Sequence, residues 1–514
     1  MRYNENGMFH LRSLTPYDIL LGSRVIIKSG IRSDCVAKST GISGKVFLAS
    51  VAKFSVSSWA NLVFGILSVM ITTRIFSPEI CGMLNLFNSA TSFIIAFCTL
   101  GMDGAFPRFF HEPPPGWNAR TLFTRCVSIA VACWFVLSLI SVILYKPISS
   151  LLFHQESLLF MALLSLKVLA GMLLTYFLLQ FYRFANDPYH YNIQQILTSF
   201  FDRLFVIAAA FVSATVNVVL SFATFGSFGL ALIYLFIQRK QVFSWKGGWH
   251  HPEMHEVYRF ALFSWPSGIM FAVSGFIMPY LISSFLDVAS LGIFASAGFF
   301  VAAFSVLQNG FRTYWGAFMY AHYQDENSKI KKTHSYIGIS IILILALFIL
   351  FQHLLYLFIG SAFQGSRVFF ALLLLAPLLD LWQQTTCYGM ALAKKNEESL
   401  VINVSMIVLT IPAAILFMQA YGLIGAAYAT AIIAVLRFLF ATWRGQCYYR
   451  SIRSKRETLG GLCILVLMGI SNTVFNDSLL MESGAIIGLI IVMGIVYREA
   501  FAELYHVLRS MRKA

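Results

Sequence analysis

Eight charged side chains stand inside long apolar stretches of this chain: Arg74, Asp103, Lys167, Asp202, Arg203, Arg312, Asp380 and Arg437. A charge at the centre of a hydrocarbon layer costs about 2.5–3.5 kcal/mol on insertion scales, so each needs a partner, a ligand or a route to water. Lys167, in LLSLKVLAG, and Asp380, in PLLDLW, lie nearest the middle of their stretches and cannot easily reach an interface. Arg74 ends its stretch, and Arg312 and Arg437 lie off-centre in theirs, where a long side chain can snorkel to water. Asp202 and Arg203 are neighbours about 100° apart on a helix, so they reach different partners rather than each other. Two readings follow. In one, the charges form buried pairs between helices, for example Lys167 or Arg203 with Asp380. In the other, Lys167, Arg203, Arg74, Arg312 and Arg437 line a cationic cavity for an anionic headgroup, with guanidinium and ammonium groups replacing phosphate hydration. Asp380, Asp202 or Asp103 would then be a candidate for a coupling proton.

The elements that must position these charges are helices. The chain has 514 residues, of which 58% are hydrophobic and 11% charged, against about 25% charged in a water-soluble domain. Only helices or closed barrels satisfy backbone polar groups in hydrocarbon, and apolar runs of about twenty residues select helices. About fourteen such segments are read at 48–75, 83–106, 121–145, 157–181, 192–213, 216–237, 258–285, 290–318, 334–359, 367–392, 398–418, 422–444, 458–474 and 481–499. The formal charge of +15 does not form a compact patch for nucleic acid; it alternates between loops. Odd-numbered loops hold Lys146 and Arg367, whereas even loops and tails hold the rest, including Arg183, Arg239, Lys240, Lys331, Lys332, Lys394, Lys395, Arg453 and Arg456. This bias places both termini and all even loops in the cytoplasm.

An internal duplication divides the segments. Phe225-Gly226-Ser-Phe-Gly229-Leu-Ala in the sixth is echoed by Tyr421-Gly422-Leu-Ile-Gly425-Ala-Ala in the twelfth. Phe54 through Ser58-Trp59 is echoed by Phe260 through Ser264-Trp265. Two six-helix lobes in one orientation follow, related by an axis along the membrane normal around a central cavity. The expected organisation is a cytoplasmic extension at 1–47, a first lobe at 48–237, an inter-lobe loop at 238–257 and a second lobe at 258–444. Two further helices at 445–499 and a tail at 500–514 complete it. The extension carries Arg2, Arg12, Arg24, Lys28, Arg32 and Lys38 and lacks the apolar core of a signal peptide; like the amphipathic tail, it is either solvated or lies on anionic lipid. Pro266, Pro279, Pro377 and Pro412 offer hinges in the second lobe or are ordinary membrane-helix prolines. The eight scattered cysteines show no CxxC spacing, so neither a disulfide framework nor a zinc site is indicated. His250-His251 with His255 fits a basic surface loop better than a metal site. No cofactor is expected, and no GxxxxGK[ST] loop is present for a nucleotide.

Ile71-Thr-Thr-Arg74-Ile-Phe-Ser-Pro78-Glu79-Ile-Cys-Gly82 resembles a signature ending the first helix of bacterial polysaccharide flippases, within the multidrug/oligosaccharidyl-lipid/polysaccharide (MOP) exporter superfamily. Leu100-Gly101-Met-Asp103-Gly-Ala105 followed by Arg108, Phe285 through Phe294, and Tyr421 to Thr430 are similar to later motifs of that family, in the expected order over residues 48–445. The resemblance implies an all-α fold of two six-helix lobes around a cationic cavity. It further implies a multi-pass protein of the bacterial inner membrane that carries a polyprenyl-diphosphate-linked oligosaccharide outward by alternating access. Its implied partners are that glycan, membrane lipids and other polysaccharide assembly proteins. It makes Arg74 a cavity or rim cation and Arg108 a rim residue. Where many members carry an Asp-Arg pair in the seventh helix, this chain reads Met278-Pro279, so a substrate contact there is not expected. The additional helix pair is a feature of the lipid II type.

Two other functions fit the residues less well. A drug or organic-cation antiporter of the same superfamily wants unpaired carboxylates, and here cations outnumber acids within the segments. A membrane glycosyltransferase or polysaccharide polymerase needs a large external loop with catalytic acids or arginines; the longest external connector is about a dozen residues. Transport without enzyme chemistry is the expectation. An inside-negative potential favours outward movement of an anion by about 2.3 kcal/mol per charge per 100 mV.

Overall fold

The computed structural model describes residues 44–244, 254–324 and 327–503. The first 43 residues, His250, His251 and the tail beyond 503 lie outside the described residues, so the extension, the histidine loop and the amphipathic tail are not described. Met1–Ser55 is one compact unit, helical over its described residues, and Val56–Ala514 is the other.

The larger unit is helical throughout, with no strand among the described residues. Its first lobe runs α1 (Val56–Ile75), α2 (Pro78–Cys98), α3 (Met102–Phe109), α4 (Ala119–Ile143), α5 (Tyr145–Phe153), α6 (Leu158–Gly171), α7 (Leu179–Phe184), α8 (Pro188–Ala209) and α9 (Val216–Val242). The second runs α10 (Met254–Phe285), α11 (Val288–His322), α12 (Asn327–Leu350), α13 (Gln352–Tyr356), α14 (Phe370–Gln383), α15 (Tyr388–Leu392) and α16 (Asn396–Tyr448). A final pair, α17 (Lys455–Val474) and α18 (Leu479–Val496), follows. The helix starts are written locally. Ser77 caps α2 by accepting the Ile80 N–H ahead of Pro78, Asp187 caps α8 ahead of Pro188, and Asp287 caps α11 by accepting the Ser290 N–H.

Ten helices among the described residues are long and apolar enough to cross a membrane, or eleven if the bent pair Ser361–Val368 and Phe370–Leu392 is one span. The fifth and eighth expected segments coincide with α8 and α11, which are not among the ten. In α8 the apolar run is broken by Asp202 and Arg203; Val288–Ala302 of α11 is apolar as well. The expected eleventh and twelfth segments are joined in the 53 residues of α16, about 80 Å of helix and far longer than a bilayer core. Gly422, at φ 59 and ψ −135, divides it; only glycine adopts such a backbone without strain. Helix continues through Pro266, Pro279, Pro377 and Pro412. Breaks fall at Gly422 and at the 60° bend before Phe370.

The lobes meet through a reciprocal glycine contact. A Cβ on Gly82 of α2 would lie 1.8 Å from the Val288 carbonyl oxygen, and one on Gly292 of α11 would lie 1.9 Å from the Pro78 carbonyl oxygen. Equivalent positions of the two repeats thus touch each other across a local twofold relation, as the duplication implies. One buried core is centred in the first lobe on Phe87, Phe106, Phe123 and Phe177 and takes in Phe276, Ile282 and Leu291 of the second; another fills the second lobe around Phe370, Leu375 and Trp382. The pair α17–α18 belongs to the second core through Leu465, Met468, Ile486 and Tyr497. It is fixed by His334 between Thr385 and Thr458, and by Gln352 and Asn472 donating to Glu482.

Candidate functional site

A cavity of about 650 Å³ lies between the lobes. One wall is a polar stripe of α2, Asn85, Asn88, Ser89, Ser92 and Thr99, whose spacing of three and four residues puts every member on one helix face. The facing wall is α10, which presents Ser264, Gly268, Phe271, Ala272 and Gly275. The small side chains and bare backbone there keep the space open. Gly101 (φ 75) turns the chain between α2 and α3, and its missing side chain lets the Ala261 carbonyl approach; a Cβ would come within 2.2 Å of it. That turn delivers Asp103 to the cavity edge. Trp265 donates its indole N–H to the Ala96 carbonyl at 2.8 Å, which ties α10 to α2 and leaves its ring in the wall. Among the described residues Asp103 is the one charged residue of the lining, and no lysine, arginine or histidine lines this cavity.

The five expected cations are not gathered in one place: Arg312 and Arg437 meet at Asp380, and the other three lie elsewhere. Lys167, buried in the first lobe, donates to Asp202 Oδ1 at 2.7 Å, to Ser227 Oγ at 2.6 Å and to the Ala223 carbonyl at 3.2 Å. All three ammonium protons are therefore used, and Asp202, not Asp380, is its partner. Asp202 Oδ1 also accepts from the Ser227 hydroxyl. Arg203, on the adjacent face of α8, donates to the Ser199 carbonyl at 2.9 Å and to the Asn61 carbonyl at 3.5 Å. Arg74 is exposed and is not among the residues lining the inter-lobe cavity. It donates to the Leu357 carbonyl at 3.0 Å, while Thr73 beside it accepts the Gly360 N–H at 3.0 Å. Arg108 is exposed and pairs with Glu112 at 3.3 Å.

Asp380 gathers a second cluster in the other lobe. Its Oδ2 accepts from Arg312 at 2.8 Å and from the Gln308 amide, and its Oδ1 accepts from Arg437 at 3.3 Å. Two guanidinium groups thus share one carboxylate, leaving a positive surplus in a semi-enclosed setting. Arg437 borders two cavities. One, about 300 Å³, contains Gln383, Gln384, Tyr388 and Asn403; the other, about 180 Å³, contains Ser274, Met278, Thr410 and Thr430. Helix α10 therefore has one face on the inter-lobe cavity and another, through Ser274 and Met278, on the space beside Arg437. Among the described residues no group of three His, Cys, Asp or Glu is placed to hold a metal ion.

Charge alone does not single out Asn85, Asn88, Ser89 and Ser92. Their signal is present in the sequence as NLFNSATS, four polar groups on one face of an otherwise apolar segment. Gln308 escapes notice for the same reason.

No protein-family profile and no curated protein matches the sequence. Solved structures do match. The chain is similar to the lipid II flippase MurJ in an inward closed conformation, with TM-score 0.62 and 15% identity over 87% of this chain and 99% of that one. It is similar to an inward-facing multidrug resistance MATE family transporter of the MOP superfamily, with TM-score 0.54 and 16% identity over 76% and 95%. It is also similar to the MATE multidrug transporter DinF-BH, with TM-score 0.53 and 16% identity over 79% and 97%. The chain is an all-α polytopic membrane protein with the fold of the MOP transporters.

Proposed function

We propose that this protein is a membrane transporter of the MOP type that carries a polyprenyl-diphosphate-linked oligosaccharide from one bilayer face to the other by alternating access. The observation that carries this reading is the inter-lobe cavity itself: a large space with amides and hydroxyls along its α2 wall, lying between two repeats joined through Gly82 and Gly292. A glycan needs such donors and acceptors, whereas a prenyl chain can stay in lipid. The cation surplus around Asp380, open to cavities beside Arg437, is the place for the diphosphate, with Arg312 and Arg437 as its contacts. Loop charges support cytoplasmic termini and loading from the cytoplasmic face of a bacterial inner membrane. Other polysaccharide assembly proteins are candidate partners. No catalytic step is proposed.

Complementation tests this reading. In a flippase-null strain the chain should relieve accumulation of cytoplasmic-facing lipid-linked sugar. Arg437→Glu should abolish rescue with membrane insertion intact; rescue by that variant would remove the anion site.

A second reading has its own observation. An inter-lobe cavity in which Asp103 is the single charge among the described lining residues suits an organic cation. Accumulation assays with a cationic dye separate the two, because a drug antiporter lowers dye retention and a glycan carrier does not.

A further inference from the structure

The inter-lobe cavity has the wrong charge for a phosphate and the right groups for a sugar. Each Asn side chain of the α2 stripe both donates and accepts, and each Ser or Thr hydroxyl does the same, which is the pairing that sugar hydroxyls and N-acetyl groups require. Trp265 has its N–H committed to Ala96, so what it offers a ligand is ring surface. Asp103 offers acceptors only. We propose that this cavity is the saccharide site, and that Asp103 makes it select neutral and amino sugars over sugars bearing a carboxylate. The proposal rests on the transport reading above and adds the class of glycan.

The charge filter follows from Coulomb's law. A sugar carboxylate held about 5 Å from Asp103 in a partly enclosed site, with no cation among the described residues that line it, loses on the order of a hundredfold in affinity. A sugar ammonium at the same place gains instead. The diphosphate is kept out of this space by the same field and is left to the cluster at Arg312 and Arg437.

The test measures equilibrium binding of three soluble disaccharides to the full-length protein in lipid nanodiscs. The three are N,N′-diacetylchitobiose, its de-acetylated diamine, and a disaccharide of N-acetylglucosamine and glucuronate. The neutral and amino disaccharides should bind, and the glucuronate one should bind on the order of a hundredfold more weakly. Asp103→Asn should bring the glucuronate disaccharide to within a few-fold of the neutral one, with a monodisperse size-exclusion profile reporting a folded protein. Ser89→Leu, which fills the cavity, should remove all three. Binding of none of the sugars, equal binding of all three to the parent, or an unchanged ratio in Asp103→Asn overturns the proposal. Failure to translocate a neutral diphosphate-linked glycan in vesicles would instead count against the transport reading, whatever the disaccharides do.

Discussion

Alanine at Gly82 is expected to open the lobe junction and lower transport ten- to a hundredfold. The new Cβ would lie 1.8 Å from the Val288 carbonyl oxygen and 2.8 Å from the Gly292 amide nitrogen. Both are backbone atoms, which cannot rotate away as a side chain can. The helices must therefore separate by more than an ångström, at about 1–3 kcal/mol for overpacking a close contact. That cost falls on the one state in which Pro78–Gly82 and Val288–Gly292 touch, so the population shifts toward states in which they are apart. Gly292→Ala meets the Pro78 carbonyl in the mirror contact and should act alike. The double substitution should add little to either single one, because a junction already open has nothing left to lose. Labelling of a cysteine placed at Ser89 by an impermeant maleimide, applied from each side of the membrane in turn, reads the shift. The parent should react from one side only, and Gly82→Ala from both; one-sided labelling in the variant would refute the junction as a gate.

The second large effect concerns Lys167. Replacing it with methionine should destabilise the folded protein by about 1–3 kcal/mol, because Asp202 and Ser227 lose the donor that joins α6 to α8 and α9. The paired change Lys167→Met with Asp202→Asn should recover most of that loss, since replacing both members of a pair avoids the stranded charge. Thermal unfolding of detergent-solubilised protein, followed by size-exclusion, gives the comparison. Were Lys167 a ligand contact instead, the single variant would stay as stable as its parent and lose binding, and Asp202→Asn would not rescue it.

Much of this architecture can be read from local chemistry. The expected segments begin at 83 and 192, whereas α2 and α8 begin earlier, at Pro78 and Pro188, where Ser77 and Asp187 cap them. The repeat is visible in Gly422 and Gly226, yet the two glycines act differently. Gly422 bends α16, whereas Gly226 lies under Phe205 in an unbroken α9, where a Cβ would be 2.1 Å from the ring. Pattern similarity cannot distinguish a bend from a packing notch, because both need only a missing side chain. Partner choice is the least legible feature. Lys167 is 35 residues from Asp202 and Arg312 is 68 from Asp380; which acid meets which cation depends on helix rotation that no local rule fixes. The polar face of α2 is readable at helical spacing, but neutral Asn and Ser cost little in a membrane helix and so stand out less than charges.

The most direct test is reconstitution of the purified chain into proteoliposomes carrying a fluorescent polyprenyl-diphosphate-linked neutral oligosaccharide, with an impermeant quencher outside and an imposed potential. Glycan should cross at a rate that increases when the potential favours its negative charge and that falls at least tenfold in Arg437→Glu. Potential-independent leakage equal to that of empty vesicles, alongside active extrusion of a cationic dye by the same preparation, would contradict the account and assign the cavity to organic cations.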